Sequence, residues 1–448
     1  MARPPLMDTL VSSPEQRLQE IIAKHRAGDH AAAEAGYRLH LKEFPKDASA
    51  LHFLGLLRTH QGRNEEAVKL MVAALEIDPE YVDAWSNLGI AYFKERDLER
   101  AEFCSRKAIQ LSPDFANAWA NLGLTLRARN ASEEALVAWG RALDLQPGMR
   151  NIAISYGHLL YRLNRLPEAL EFYSRWQASD PNDPIPQHML AAMGGAERPR
   201  RASDGYVRAT FDDFAESFDR NLEDLGYRAP QVLWEAVRGA CGLQSEVCDL
   251  QSRPHGLQSG VCDLQSRPRG LQSRSALAVL DLGCGTGLCG PLLRPVARRL
   301  VGVDLSPNML SKAAARAVYD QLNCGELTQW LAECEQRFDL AVAADVLCYF
   351  GDLSAAFAIV HNGLLPGGHF ACSLEASPAD ASVADGYVLR PHGRYQHERS
   401  YVERILANAH LEIVSIATDT LRYERQDPVT GLLVVAKRPA TPSSASSA

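Results

Sequence analysis

The spacing of apolar positions changes about midway along this chain of 448 residues. In the first half, apolar and small residues recur at helical intervals, and the same block of residues returns at a fixed period. From residue 277 onward, short continuous apolar runs alternate with amphipathic segments. The first pattern predicts stacked helical hairpins, whereas the second predicts a parallel sheet covered by helices. We therefore expect a multidomain protein, with an all-α solenoid followed by an α/β doubly wound domain.

Prolines, small residues and aromatic residues mark the period of the first half. Prolines recur every 34 residues, at Pro45, Pro79, Pro113, Pro147 and Pro181. Leu-Gly pairs at 54–55, 88–89 and 122–123 keep the same register and permit close helix packing. Trp85 and Trp119 open the first helix of two units, where we expect them to fill gaps in the core.

This unit resembles the tetratricopeptide repeat (TPR), a helix–turn–helix motif of that period. Five repeats are predicted over residues 14–184, and the helix at 185–193 should cover the apolar face of the last repeat. The resemblance implies a concave surface that binds a partner protein or peptide. An internal scaffold or a dimerisation arm is the alternative.

The second half shows the alternation of strands and helices that is typical of a doubly wound sheet. Buried strands are predicted at 278–282, 300–303, 339–343 and 368–374, with a final pair at 411–420 and 431–437. Helices are predicted at 230–240, 290–296, 308–317 and 353–364. The final pair of strands predicts a hairpin-like ending with an antiparallel edge strand.

A glycine-rich loop follows the first of these strands. Three glycines stand at alternate positions after Asp281, namely Gly283, Gly285 and Gly287. Such a loop can turn tightly and can approach a ligand where a Cβ atom would clash. Asp304 ends the next apolar run, where a carboxylate can accept both hydroxyl groups of a ribose. A dinucleotide fingerprint would need glycine in place of Leu288, so the loop does not fit a pyrophosphate well.

The pattern D-x-G-x-G-x-G, followed by an acid at the next strand end, resembles the Rossmann-like class I S-adenosylmethionine-dependent methyltransferases. Two further segments, 211–219 with 225–230 and 392–397 with Tyr401, are similar to parts of bacterial methyltransferases that carry a TPR array. The chain is identified as a member of that group of predicted TPR methyltransferases. The resemblance implies S-adenosylmethionine as the cofactor, but it implies no substrate.

The resemblance also implies roles for residues around the loop. The loop amides should approach the methionine part of the cofactor, and Asp281 should order the loop or meet the cofactor ammonium through water. Asp304 should hold the ribose hydroxyls, and Leu305 and Met309 should flank the adenine. Glu326 stands where related enzymes have an acid that accepts a hydrogen bond from the adenine amino group. For each acid, a helix cap or an ordinary turn residue is the alternative.

The acceptor side of the site is less constrained by the sequence. Asp345 follows the predicted strand at 339–343, which corresponds to the fourth strand of the resembling fold, at the mouth where the reactive methyl group would sit. A general base is needed only if the acceptor is protonated at neutral pH, and the sequence forces no choice of one. Arg394, Tyr395 and His397 are the catalytic candidates, because this fold builds its acceptor pocket after the fifth strand. Arg394 could bind a carboxylate or phosphate in bidentate fashion, although a solvated loop would have the same composition.

Three aromatic residues precede the glycine loop in the predicted cap: Phe211, Phe218 and Tyr227. They could close a lid over the cofactor, or they could pack the cap helix on the sheet.

The remaining segments complete the predicted domain plan. Residues 1–13 form a tail, 14–193 the array, 194–201 a linker, 202–241 the cap, 276–438 the methyltransferase core and 439–448 a disordered tail. Residues 242–275 contain a 14-residue unit repeated almost unchanged, which indicates a recent duplication and a surface insertion. Cys248 and Cys262 share a register within that duplication, which explains them better than a metal site does.

Composition narrows the possible partners. The net charge of −8 argues against broad nucleic-acid binding. Ten cysteines show no C-x-x-C pair, which favours reduced thiols in a cytoplasmic protein and gives no metal site. No apolar run is long enough to cross a membrane, and the N-terminus lacks the pattern of a signal peptide.

Several hypotheses for function remain open. The array could recruit a protein substrate to an active methyltransferase, or the acceptor could be a small or carrier-bound acid. An adaptor with a non-catalytic cofactor-binding domain is a third hypothesis, against which the intact loop and Asp304 count. A nicotinamide oxidoreductase is disfavoured by Leu288. Amino methylation of DNA is disfavoured because residues 345–348 lack the N/D-P-P-Y/F/W loop.

Overall fold

The computed structural model describes residues 13–215, 218–242, 277–378, 385–424 and 427–440. All but the first residue of the predicted insertion, nearly all of the predicted N-terminal tail and most of the predicted C-terminal tail lie outside the described residues. The predictions for Cys248 and Cys262 fall there as well. The chain divides into two compact units, residues 1–169 and residues 170–448.

The first unit consists of helices that pack on their neighbours along the chain. They are α1 (Pro14–Arg26), α2 (His30–Glu43), α3 (Ala48–His60), α4 (Asn64–Ile77), α5 (Val82–Lys94), α6 (Leu98–Leu111), α7 (Ala116–Ala128), α8 (Ser132–Leu145) and α9 (Arg150–Arg162). The next helix, α10 (Leu166–Ser179), crosses the division between the units. The predicted all-α solenoid is confirmed.

Recurring residues of the repeat explain how these helices begin and pack. The indole nitrogens of Trp85 and Trp119 donate hydrogen bonds to the carbonyls of Pro79 and Pro113, at 2.9 and 2.8 Å. Each indole thus ties the start of one helix to the proline that ends the previous unit. At Gly123 a Cβ atom would lie 2.4 Å from the Trp139 ring, so the glycine makes room for the following helix.

The second unit contains a mixed sheet of nine strands within the described residues. The strands are β1 (Leu277–Leu282), β2 (Ala297–Asp304), β3 (Gln321–Cys324), β4 (Phe338–Ala343), β5 (Leu364–Ala376), β6 (Tyr387–Leu389), β7 (Tyr395–His397), β8 (Glu412–Glu424) and β9 (Asp427–Lys437). The order β3-β2-β1-β4-β5 is parallel throughout. Strand β5 also pairs with β9, which is antiparallel to it, and with the short parallel strand β7. Strand β9 pairs in turn with β8. The predicted α/β doubly wound fold is confirmed, including its antiparallel ending.

Helices of the second unit precede the sheet and connect its strands. They are α11 (Pro184–Ala192), α12 (Asp204–Phe214), α13 (Phe218–Asp224), α14 (Ala229–Cys241), α15 (Gly290–Leu293), α16 (Pro307–Ala315), α17 (Leu327–Glu333), α18 (Ser354–Gly363) and α19 (Arg399–Asn408). Helix α14 buries Val232, Leu233 and Val237 in a core that also contains Val279 of β1 and Val435 of β9. None of the described helices is long and apolar enough to cross a membrane.

Helix α11, which the sequence predicted to close the array, lies in the second unit together with most of α10, the second helix of the last predicted repeat. Its His188 Nε2 lies 2.9 Å from the Gly393 carbonyl, and its ring stacks on Tyr206 with centroids 3.8 Å apart. Ala191 and Ala192 share a buried cluster with residues of the β6–β7 hairpin. These contacts attach the helix to the sheet-containing unit.

The segment after α11, predicted as a linker, is also attached to the second unit. The Tyr395 hydroxyl donates to the Pro199 carbonyl at 2.6 Å, and Arg201 forms an antiparallel bridge with Phe350. The Arg198 guanidinium lies 5.0 Å from the centre of the Tyr387 ring.

Candidate functional site

A cavity of about 1080 Å³, measured out to open solvent, lies at the carboxyl ends of β1, β2 and β4. In a doubly wound sheet, ligands bind at this edge, at the topological switch point between two neighbouring strands. Here the switch point lies between β1 and β4, because β2 and β3 follow β1 on one side of the sheet and β4 and β5 lie on the other side. The glycine loop, the strand ends and helices α12 and α13 supply the wall. Of the predicted site residues, the wall contains Gly283, Gly285, Asp304, Leu305, Met309, Glu326, Asp345 and Arg394.

The three loop glycines all have positive φ angles, at which residues that carry a Cβ atom are strained. At Gly283 a Cβ atom would lie 2.3 Å from Cγ2 of Val346, so the loop must approach the segment after β4 closely. At Gly287 a Cβ atom would be crowded by Tyr319 and α16. Gly285 differs, because nothing in the described chain lies within 4 Å of the position where its Cβ would be. The middle of the loop therefore presents bare backbone to open space.

Asp304 stands where β2 ends, and it anchors the loop. Its Oδ2 accepts a hydrogen bond from the Gly285 amide at 2.8 Å, and its Oδ1 accepts one from the Ser306 amide at 2.9 Å. Burial raises the pKa of this carboxyl, and the backbone donors oppose that shift. The carboxylate is thus held in a fixed orientation in the cavity wall, and each oxygen keeps capacity to accept a further hydrogen bond.

Asp281 is buried on β1 and does not line the cavity. Its Oδ2 accepts a 2.6 Å hydrogen bond from the Tyr319 hydroxyl. Burial raises the pKa of Asp281 to about 7, although the bond from Tyr319 lowers it somewhat. Tyr319 in turn packs against Gly287, so it lies between the Asp281 carboxyl and the loop. The two roles of Asp281, ordering the loop and meeting the cofactor ammonium through water, both stay predictions.

Leu305, Met309 and Glu326 form the wall beyond Asp304. Glu326 is the N-cap of α17, since its Oε2 accepts from the Gln329 amide at 2.8 Å. Its other oxygen, Oε1, is buried without a hydrogen-bond partner in the described part of the chain, and it lies 3.5 Å from the Arg201 guanidinium. One oxygen of this carboxylate therefore caps a helix while the other remains available to a ligand.

Helices α12 and α13 are held over the glycine loop by polar contacts. Asp219 accepts from the Thr286 hydroxyl and from Arg316, both at 2.5 Å. Asp212 of α12 accepts from the Ser306 hydroxyl at 2.5 Å. These contacts fix the predicted cap against residues that follow β1 and β2.

The aromatic residues of the cap line the cavity. The Phe211 ring lies 5.8 Å from that of Phe218 and 5.6 Å from that of Tyr349, edge to face in both cases. Tyr227 also lines the cavity. All three candidate lid residues therefore face the ligand space, and they are the residues best placed to keep water from it.

A network of buried charges lies beside the cavity at the end of β4. Asp345, which has a positive φ of 54°, accepts from Arg422 at 3.4 Å. Arg422 also pairs with Glu375, which in turn accepts from Arg394 at 3.3 Å. Burial would raise the pKa of Glu375, but Arg422, Arg394 and His392 outweigh it and hold that pKa at about 2. Asp345 and Arg394 reach the cavity wall, so the network presents one group of each charge to a ligand.

Tyr395 and His397, two of the three catalytic candidates, lie outside the cavity wall. Both are fully buried on β7. The Tyr395 hydroxyl is bound to the Pro199 carbonyl, and His397 Nε2 lies 3.2 Å from the Gly351 carbonyl. Burial lowers the pKa of His397 to about 4. Both side chains pack the β6–β7 hairpin, and Arg394 alone of the three candidates faces the ligand space.

Comparison with protein families identifies both halves of the chain. The model of the family described as "Methyltransferase domain" matches residues 280–372, which include the glycine loop and β2. Three TPR family models match residues 55–95, 82–115 and 138–184. The chain combines tetratricopeptide repeats with a methyltransferase domain.

Individual relatives match the methyltransferase domain. A ubiquinone biosynthesis O-methyltransferase from Bradyrhizobium sp. (strain ORS 278) is 33% identical over 133 residues, which are 28% of this chain and 52% of that protein. A malonyl-[acyl-carrier protein] O-methyltransferase from Serratia marcescens is 28% identical over 154 residues, which are 34% of this chain and 55% of that protein. The chain thus spans about half the length of these relatives.

The TPR array is similar to solved repeat structures. The crystal structure of a thermophilic TPR protein from Thermus thermophilus is 23% identical, with a TM-score of 0.35, and the match covers 40% of this chain and 98% of that one.

Sequence reasoning missed several polar residues of the methyltransferase domain. Glu375 and Arg422 are fully buried charges near the cavity, and Asp219 and Arg316 bind the cap to the loop. A signal was present for Glu375, because a glutamate directly follows the apolar run 370–374 at the end of a predicted strand. Arg422 carries no comparable signal, since its buried partners Glu375 and Asp345 are separated from it by 47 and 77 residues, and its near partner Glu424 is an exposed acid.

Proposed function

We propose that the methyltransferase domain uses S-adenosylmethionine, bound in the cavity between the glycine loop and the cap. One observation carries the proposal. The open backbone at Gly285 and the fixed carboxylate of Asp304 face a single cavity, and they are joined by a hydrogen bond. A nucleoside with a charged amino-acid tail needs both features side by side. Its ribose hydroxyls would donate to the Asp304 carboxylate, and its tail would accept from the amides of the glycine loop.

The charge of the cavity supports this cofactor over a nicotinamide dinucleotide. Among the described residues, its wall contains the carboxylates of Asp204, Asp304, Glu326 and Asp345, but only two guanidinium groups, those of Arg201 and Arg394. An excess of acids favours a cationic ligand such as a sulfonium, and it disfavours the doubly charged pyrophosphate of a dinucleotide. The wall also fits the remaining parts of the molecule, because Glu326 Oε1 can accept from an amino group between the apolar side chains of Leu305 and Met309.

The bound cofactor would supply an electrophilic methyl group that needs no further activation. The residues of this chain then have three tasks. Asp304 and the loop fix the position of the reacting centre, and Phe211, Phe218 and Tyr349 exclude water from it. Asp345 lies in the cavity wall, oriented by Arg422, and its carboxylate would stabilise the positive charge of the cofactor's sulfonium end.

Arg394 favours an acid as the methyl acceptor. Its guanidinium lies in the cavity wall and is oriented by Glu375. A fixed guanidinium recognises a carboxylate or phosphate with good geometry. Among the relatives, the Serratia marcescens enzyme acts on a malonyl group carried by a protein, which is an acid of this kind. We therefore place a small or carrier-bound acid ahead of a protein acceptor recruited by the TPR array.

Isothermal titration of the whole protein with S-adenosylhomocysteine and, separately, with NADH tests the cofactor. We expect micromolar binding of the first alone, and its loss in Asp304→Ala. Glu333→Ala is the matched control, because Glu333 is an exposed acid of α17 outside the cavity. Equal affinity of Asp304→Ala and the wild type would refute the ribose assignment, and binding of NADH instead would refute the methyltransferase proposal.

Transfer of labelled methyl groups from S-adenosylmethionine into fractionated cell extract tests the acceptor class. We expect label in small acids or acyl carriers, and its loss in Arg394→Met. Arg390→Met is the control, since Arg390 lies in the same hairpin but not in the cavity wall. Label in other proteins that survives Arg394→Met would favour the protein acceptor.

A further inference from the structure

Three histidines of the first unit bring their imidazole rings together where helices begin and end. His25 lies near the end of α1, His30 begins α2 and His60 ends α3. One ring nitrogen from each residue lies within 4.8 Å of the other two. The ring centroid of His25 lies 5.8 Å from that of His30 and 5.5 Å from that of His60. The proposed methyl transfer makes no use of these residues.

The inner member of this histidine cluster has a nitrogen without a partner. His25 is only 7% exposed, and its Nδ1 lies 3.2 Å from the Tyr37 hydroxyl. Its Nε2 is buried and forms no hydrogen bond with the residues that the structure describes. When Nδ1–H donates to the Tyr37 oxygen, Nε2 carries a lone pair that nothing in the described chain satisfies. A buried acceptor in this state is costly and therefore calls for a ligand.

We propose that His25, His30 and His60 form a binding site for a divalent transition-metal ion, with zinc as the best match. Three neutral imidazoles and a water molecule are a common tetrahedral zinc environment. A site without carboxylate or carbonyl ligands does not suit calcium or magnesium. Tyr37 would act as the outer partner that fixes the tautomer and orientation of a ligating histidine.

The cluster needs only a small closure to bind such an ion. Zinc–nitrogen bonds of about 2.0–2.1 Å in a tetrahedron bring the nitrogens to roughly 3.3 Å from one another. His30 and His60 are exposed side chains at the ends of their helices, so they can rotate towards the ion. His25 is held by its burial and by Tyr37, and it would set the position of the metal.

The site would join the first repeat to the start of the second. An ion held by α1, α2 and α3 would add a link to the apolar contacts and to the Arg58–Glu34 pair that already join these helices. Lys94 should limit the affinity, because its ammonium group donates to the carbonyl of Thr59, the residue before His60, at 3.2 Å. A neighbouring positive charge repels a cation, and its removal should strengthen binding.

Titration of the full-length protein with zinc chloride tests this proposal. We expect one site whose affinity falls about 100-fold or more in His30→Ala and in His60→Ala, because loss of an outer partner alone costs roughly 10–100-fold. His361→Ala is the control, since it removes a histidine of the second unit that belongs to no such cluster among the described residues. Both test residues are exposed, so the variants should keep their folded circular dichroism spectra.

Cobalt(II) absorption separates this site from the free cysteines of the chain. A histidine site gives weak visible bands without the strong near-ultraviolet absorption of cobalt thiolate. Tyr37→Phe should weaken zinc binding by roughly 10-fold or more, whereas Lys94→Met should strengthen it. Equal affinities in the wild type and His30→Ala, thiolate absorption alone, or no binding at all would each overturn the proposal.

Discussion

Both units of the molecule bury an arginine, but the two arginines have different partners. Arg58 in the TPR array binds Glu34 at 2.7 Å and Glu66 at 3.2 Å, and the side chains of these acids are 23% and 45% exposed. Arg422 in the methyltransferase domain pairs with Glu375, whose side chain is 1% exposed. The acids of the array can turn to water if their partner is lost, whereas Glu375 cannot. A buried carboxylate that depends on its partner is costly, and it lies beside the proposed acceptor site.

The largest effect should come from Arg422→Met. The substitution leaves Glu375 buried with only Arg394 and His392 nearby among the described cations, so we expect a loss of about 3–5 kcal/mol in the free energy of unfolding of β5, β8 and β9. Pulse hydrogen exchange across a urea series reports on these strands separately from the array. Arg422→Met combined with Glu375→Gln should recover part of the loss. An unchanged midpoint in the single variant would show that the network is not coupled as described.

Asp281→Asn should change the pH dependence of the methyltransferase domain. Because burial raises the pKa of Asp281 to about 7, the folded state binds this proton more tightly than the unfolded chain does. The stability that this proton contributes is present below about pH 4 and is lost as the pH rises towards 7, by up to about 4 kcal/mol. The variant cannot ionise there, so it should lose less stability than the wild type between pH 5 and 8.

Pulse hydrogen exchange across a urea series, measured at pH 5 and at pH 8 in peptides of β1 and β2, gives this difference in stability. Parallel curves for the wild type and Asp281→Asn would contradict the shifted pKa.

Arg58→Met should have a smaller effect than Arg422→Met. The loss of hydrogen bonds from a charged donor costs about 1–3 kcal/mol, but Glu34 and Glu66 regain water. Hydrogen exchange in peptides of α2, α3 and α4 measures this loss in the free energy of unfolding. A loss as large as that of Arg422→Met would remove the distinction between the two networks.

The smallest effect is expected for Arg165→Met. Arg165 binds Glu168 at 2.6 Å and Glu133 at 2.7 Å, but all three side chains are at least 35% exposed. Exposed pairs of this kind contribute little, so the unfolding midpoint of the array should not change measurably. A clear shift would mean that surface pairs also support the repeats.

The sequence predicted periodic and local features better than contacts between distant residues. The 34-residue period predicted the helical hairpins, and the apolar runs predicted β1, β2, β4 and β5. Some of these predicted strands are a few residues shorter than those in the structure. Strand β3 was not predicted as a strand, because none of its four residues is fully buried and no apolar run marks it. Strands β6 and β7 have three residues each, too few to show alternation.

The parts of the candidate site that directly follow a predicted strand could be predicted from the sequence. The glycine loop, Asp304, Leu305 and Met309 follow directly from strand ends, and they line one cavity. Tyr395 and His397 were proposed from their position after the fifth strand, yet a polar composition does not reveal that both side chains are buried against the hairpin. Arg422 meets Glu375 and Asp345 only through the tertiary fold, and Asp219 meets Thr286 and Arg316 in the same way, so no local pattern could predict these contacts.

Helix α11 and residues 198–199 are attached to the β6–β7 hairpin, and this attachment determines where the protein could be cut into fragments. The hydroxyl of Tyr395 binds the Pro199 carbonyl, and the ring of His188 stacks on Tyr206. A fragment that begins at residue 202, where the predicted cap starts, would lack His188 and Pro199 and would expose the rings of Tyr206 and Tyr395 to solvent. A fragment that carries the methyltransferase domain into a chimera would therefore have to start before α11, so that this helix is included.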